Sequence, residues 1–156
     1  MIRTYANTVA ELNSAKLSLD LLMRRKEELY TKYFPQTSKI DEASAHTNKK
    51  SDPMADYVAE LTKISTITGM SLEQEIDEAR NEKDILRYYV KLMEENLENT
   101  TGRTNELFRL IIIHGYNPAK AVDKIAEKYK KEPRTIWEYD YSKIKKEIDK
   151  CSVKVQ

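Results

Sequence analysis

A chain of 156 residues, 40% hydrophobic and 34% charged, is long enough for one compact domain or a small domain on a helical arm, and too short for two large independent cores. Three glycines and four prolines leave little turn chemistry, which points to an all-α chain. No stretch approaches the roughly 20 apolar residues that cross a bilayer, and the one cysteine, Cys151, excludes an internal disulfide framework, so the expectation is a cytoplasmic protein with no membrane partner.

The formal net charge of +1 conceals balances of +2 over residues 1–52, −5 over 53–115 and +4 over 116–156. A basic C-terminal stretch is compatible with nucleic-acid contact, although lysine-rich helix faces that touch nothing are common.

From Thr4 to Tyr33 apolar residues recur as heptads, with Tyr5, Leu12, Leu19 and Tyr33 at one position and Ala15, Leu22 and Leu29 at the other, interrupted by Lys26. Such a stripe requires a partner helix. The cluster Arg24-Arg25-Lys26 reads as a solvated face. The text then turns polar and aperiodic from Phe34 to Asp52, as a linker does, and His46 within it has no second metal ligand nearby.

Asp52 and Pro53 open the next helix as cap and first residue, and Met54, Tyr57, Val58, Leu61 and Ile64 form its apolar face. Gly69 breaks the run. Ser71 and Gln74 carry a capping-box pattern, and the helix they start places Leu72, Ile76, Ala79, Leu86, Val90, Met93 and Leu97 on one stripe.

After a break at Gly102, "ELFRLIIIHG" is apolar on nearly every side and reads as the buried centre of a small bundle, ended by Gly115. His114 suits the negative end of that helix. Two more helices follow, one capped by Asn117 with Pro118 and one opened by Glu132 and Pro133. The expected organisation is a coiled-coil-like helical arm over 1–98, with a polar loop at 34–52, followed by a helix-turn-helix domain over 103–150.

On a wheel of about 100° per residue, Trp137, Tyr141, Ile144 and Ile148 form the inward stripe of the last helix, with Asp140 near its edge. Thr135, Glu138, Tyr139, Ser142 and Lys146 then face outward.

"SDPMADYVAELTKI" and the heptad helix after it resemble the N-terminal half of small sigma-like proteins encoded by phages and prophages of Gram-positive bacteria. "IAEKYKKEPRTIWEYDYSKIKKEI" resembles the helix-turn-helix of their C-terminal half, which is similar to the sigma-factor region that reads the −35 promoter element. Ile125-Ala126, Arg134-Thr135-Ile136 and Ile144 keep the spacing of that motif, while Lys130 replaces a usual glycine and Glu138 stands where a basic residue is usual. The resemblance implies a transcriptional regulator in the bacterial cytoplasm, with double-stranded promoter or operator DNA and RNA polymerase as partners. The heptad stripe, which takes its partner helix from the same chain or from a second copy, and the weak electrostatic grip of the motif make a homodimer the expected form.

On that reading Lys130, Lys131, Arg134, Lys145 and Lys146 would contact phosphates, and Arg134, Thr135, Glu138, Tyr139 and Ser142 would face base edges. No phosphate loop, zinc-ligand spacing or nucleophile with its base appears, so neither enzymatic activity, a metal nor a cofactor is expected. Two other readings use the same helices. One is an interaction module, adaptor or inhibitor, that presents aromatic residues to a protein; the other is a small terminase-like packaging subunit, suggested by "GYNPAKAV".

Overall fold

The computed structural model describes residues 1–36 and 52–152. Residues 37–51 of the predicted polar loop, with His46, lie outside the described residues. The chain is all-α: α1 Tyr5–Tyr33, α2 Pro53–Thr62, α3 Leu72–Asn99, α4 Gly102–Ile112, α5 Pro118–Tyr129, and a continuous α6 over 133–150. This last helix is composite, with Pro133–Thr135 and Ser142–Lys150 α-helical and Ile136–Tyr141 wound as a π-helix. Among the described residues the sole β feature is an isolated antiparallel bridge between Ile2 and Ser152.

Helix starts are set by the side chains that the sequence singles out. Asp52 accepts a hydrogen bond from the Met54 N–H at 3.0 Å. Ser71 and Gln74 close a reciprocal capping box, the Ser71 N–H donating to Gln74 Oε1 at 2.9 Å and the Gln74 N–H to Ser71 Oγ at 3.2 Å. Asn117 accepts from the Lys120 N–H at 2.9 Å, with Pro118 at the first helical position. Each bond satisfies a backbone group that a helix end leaves without a partner.

Every position of the α1 heptad row, Thr8 and Lys26 included, is buried or half-buried. The α3 stripe is withdrawn from solvent in the same way. On α2 the buried face is narrower than its periodicity implies: Leu61 is buried and Tyr57 half-buried, but Met54 and Val58 are exposed, and Ile64 lies beyond the end of the helix.

The chain divides into two compact units, one of Met1–Asn13 with Asp84–Gln156 and one of Ser14–Lys83. The unit that holds the helix-turn-helix is therefore larger than 103–150. In the Ser14–Lys83 unit the core is Leu19, Leu61, Leu72, Ile76 and Ala79, flanked by Leu22, Leu29 and Tyr57. Tyr30, Phe34 and Tyr57 add a cluster of tilted and edge-on rings.

In the other unit α4 is the central element. Leu107, Phe108, Ile111 and Ile112 are fully withdrawn from solvent, packed with Met93 of α3, Ala121, Val122, Ile125 and Ala126 of α5, and Ile136, Ile144 and Ile148 of α6. Because α4 is covered by several neighbours, it is apolar around most of its circumference. Gly115 then reverses the chain at φ +71°, where an added Cβ would also stand 3.3 Å from Thr4 Cγ2. Cys151 is fully buried in this core, and its carbonyl accepts the Arg3 N–H at 3.0 Å. That bond from a segment distant in sequence is what ties down the end of α6.

Candidate nucleic-acid interface

Helices α5 and α6 and the residues between them form a helix-turn-helix. The pair Ile125-Ala126 is buried on the inward face of α5. The turn is made by Lys130, which takes the left-handed conformation at φ 52°, ψ 46°. Its N–H donates to the Glu127 carbonyl at 3.3 Å, and the Lys131 N–H donates to the Ala126 carbonyl at 2.9 Å. This is the helix-ending pattern that usually employs glycine, here built on a lysine. The left-handed residue projects its ammonium outward, and Pro133 restarts the helix three residues later.

Two tethers orient these helices against α4. Glu106 accepts from Lys128 Nζ at 2.6 Å and from the Tyr129 hydroxyl at 2.7 Å. Those bonds, Lys128 first, lower the Glu106 pKa, and the carboxylate in turn raises the pKa of both donors. The second tether is Asp140, 3% exposed, whose Oδ2 accepts from Arg103 Nε at 2.8 Å and whose Oδ1 accepts from Thr104 Oγ1 at 2.9 Å. A buried carboxylate is tolerated only when its oxygens are paired in this way.

The inward stripe of α6 differs from the one that a plain α-helical wheel gives. Ile136, Asp140, Ile144 and Ile148 are the buried row, whereas Trp137 is 37% exposed and Tyr141 half-buried. The correction has a geometric cause. On an ordinary α-helix, positions three four-residue steps apart are about 120° out of line. The π segment, with its i→i+5 bonds, widens the turn by about one residue and brings the four-residue steps back into register. Trp137 moves to the flank, where its ring meets that of Tyr141 edge-on with centroids 4.6 Å apart.

Opposite the buried row runs a second four-residue row, Arg134, Glu138, Ser142 and Lys146, and all four are exposed. Lys130 and Lys131 lie at its N-terminal end and Lys145 towards its C-terminal end, all exposed, and these three and Lys146 make no ion pair among the described residues. Tyr139 is 63% exposed on one flank, and Thr135 is half-buried beside the core. The nine predicted site residues thus share the outward side of one motif, with Thr135 the least accessible. Arg134 is not a free cation: its Nε donates to Glu138 Oε1 at 2.6 Å. The Ser142 hydroxyl donates to the Glu138 carbonyl at 2.6 Å.

Sequence reasoning passes over Lys143, exposed one turn beyond Tyr139, although the same wheel turns it outward. It also passes over Arg103, Thr104 and Glu106, the α4 residues that hold the motif. No local pattern marks them, since their partners lie 22 to 37 residues away.

Among the described residues no group of three or more His, Cys, Asp or Glu side chains converges as metal ligands would, and no helix is long and apolar enough to cross a membrane. Comparison with protein-family models, with curated proteins and with solved structures returns no match.

Proposed function

We propose that the protein is a DNA-binding transcriptional regulator that docks α6 in the major groove of promoter or operator DNA. The observation that carries this reading is the outward face of α6. A helix held by buried partners presents a row of exposed polar residues with unpaired lysines at both ends, Lys130 and Lys131 at one and Lys145 and Lys146 at the other. This is the arrangement in which phosphate contacts fix the register of a helix while the residues between them face base edges. The resemblance to the helix-turn-helix of phage-encoded sigma-like regulators supports the same assignment, with RNA polymerase as the protein partner. One helix with a carboxylate on its reading row grips DNA weakly, so the active form in this reading is a homodimer on two half-sites.

A second reading is favoured by one observation: Trp137 and Tyr139 are exposed on the same helix, and exposed aromatic residues are enriched where proteins dock. In that case the motif serves as a protein-binding face.

A duplex selection from a random-sequence pool, run on the full chain with molar mass measured in the same buffer, decides between them. A regulator enriches one sequence, with affinity that falls steeply as salt rises. Enrichment of nothing over the pool rejects the DNA reading. Ring-shaped oligomers would favour a packaging subunit instead.

A further inference from the structure

We propose that the π turn of α6 is a one-residue insertion into the reading helix, absorbed without disturbing the buried row, which makes Tyr139 a specificity-determining residue on an enlarged outward face. The proposal rests on the DNA-binding reading above.

The π segment, Ile136–Tyr141, fixes where the surplus residue lies, because it spans the first four-residue step of the buried row. Ile136 is 0% exposed and Asp140 3%, the latter fastened to Arg103 and Thr104 of α4, so both ends of the first four-residue step are anchored. Removing one residue from that step would leave intervals of three, four and four, which is the spacing of an ordinary amphipathic α-helix. The surplus therefore falls among Trp137, Glu138 and Tyr139. Trp137 is packed edge-on against Tyr141, and Glu138 is bonded to Arg134. The Tyr139 side chain makes no hydrogen bond or ring contact among the described residues and is 63% exposed. A π turn widens the helix at this point, and such turns occur frequently at functional sites. Anchored on both sides by buried residues, the Tyr139 ring and hydroxyl are presented from a rigid support, as a recognition group must be. A ring in the major groove meets the thymine methyl, and a hydroxyl serves either a donor or an acceptor edge.

The test uses the full chain with Tyr139 deleted, beside Tyr139→Ala and a control deletion of Lys124 in α5, where the buried pairs Ala121-Val122 and Ile125-Ala126 have ordinary four-residue spacing. The Tyr139 deletion is expected to unfold cooperatively within roughly 5 °C of the intact chain, a loss on the order of 1 kcal/mol for a domain of this size, whereas the Lys124 deletion, which rotates a buried row out of the core, loses cooperative unfolding. In the duplex selection the Tyr139 deletion is expected to keep salt-sensitive binding to bulk duplex within about threefold. Its preference for the intact chain's selected site falls by roughly tenfold or more, the size of one lost base contact. If the deletion fails to fold while Tyr139→Ala folds, the residue belongs to the core register and the insertion is refuted. Identical sequence preference in deletion and intact chain overturns the specificity role. If the intact chain enriches no sequence, the DNA reading fails and takes the specificity role with it, while the unfolding comparison separately decides the insertion.

Discussion

Arg134 Nε donates to Glu138 Oε1 at 2.6 Å across one turn of α6, at the N-terminal end of the row that faces away from the core. Both side chains are well exposed, 83% and 52%, and exposed pairs of this kind add little to stability. The consequence of the pair is local charge: the carboxylate occupies the guanidinium that would otherwise meet a phosphate or a guanine. Glu138→Gln is therefore expected to leave the unfolding midpoint essentially unchanged while tightening duplex binding. One more cation engages phosphate, so the slope of log affinity against log salt steepens by about one. Anisotropy titrations at several salt concentrations measure it. An unchanged affinity and slope would mean that this row does not meet DNA.

Asp140 is the residue whose loss the fold should feel most. Both carboxylate oxygens are occupied, by Arg103 and Thr104, and the group is 3% exposed. Asp140→Ala leaves two donors without their acceptor, and removing one partner of a buried pair costs about 3–5 kcal/mol. Because the Arg103 side chain is 26% exposed and can find water, the expected loss is nearer 2–3 kcal/mol by urea denaturation. Asp140→Asn, which keeps an acceptor for Thr104, should lose less than half as much. Equal losses for the two variants would show that packing, and not the paired oxygens, sets the contribution.

Lys130 carries a conformational strain that glycine would relieve. At φ 52° it occupies the left-handed region, which disfavours residues with a Cβ by about 1 kcal/mol or more. Part of the gain from glycine is returned through its freer unfolded state. Lys130→Gly is therefore expected to raise stability by roughly 0.5–1 kcal/mol in thermal unfolding, and to make the salt slope of duplex binding shallower by about one if its ammonium contacts phosphate. The mirror-image change, Gly115→Ala, meets both a positive φ and the Thr4 methyl at 3.3 Å, and should destabilise. A loss of stability for Lys130→Gly would indicate that the lysine stem contributes packing that outweighs the backbone term.

How far the fold was legible depended on whether the deciding interaction was local. Asp52, the Ser71 and Gln74 pair, and Asn117 bond within two or three residues of themselves, so the caps could be read from spacing alone. The α1 heptad was legible for the same reason, down to the place of Lys26 in the row. The last helix was legible as a helix but not in its orientation. A fixed angle per residue assigns Trp137 to the core, and only the tertiary contact of Asp140 with α4 reveals that the turn is widened and that Ile136 is the buried residue. The nine candidate site residues still lie outside the buried row: Arg134, Glu138, Ser142 and Lys146 form the row opposite it, Thr135, Tyr139 and Lys145 lie beside that row, and Lys130 and Lys131 precede the helix. The division into units was not legible, since it depends on residues 1–13 packing with a segment that begins at Asp84.

Cys151 offers a test of the C-terminal packing that is independent of any ligand. Burial, and then the nearby Glu147 carboxylate, push its thiol up to about 11. The folded state thus favours the protonated thiol, so its contribution to stability is full below the ordinary thiol pKa and is lost as pH rises through that value towards 11. A shift of this size corresponds to about 2–3 kcal/mol at the alkaline limit. Below pH 8 the thiol should react with a thiol-selective reagent only as fast as the α6 end opens, and should become fully reactive in denaturant. In Cys151→Ala the removal of a fully buried sulfur lowers stability near neutral pH, but the fall in unfolding free energy between pH 8 and pH 11 should be shallower than in the intact chain. Parallel alkaline slopes for the two proteins, or rapid labelling of the native chain at neutral pH, would place Cys151 outside the core and remove the Arg3 contact as the closure of α6.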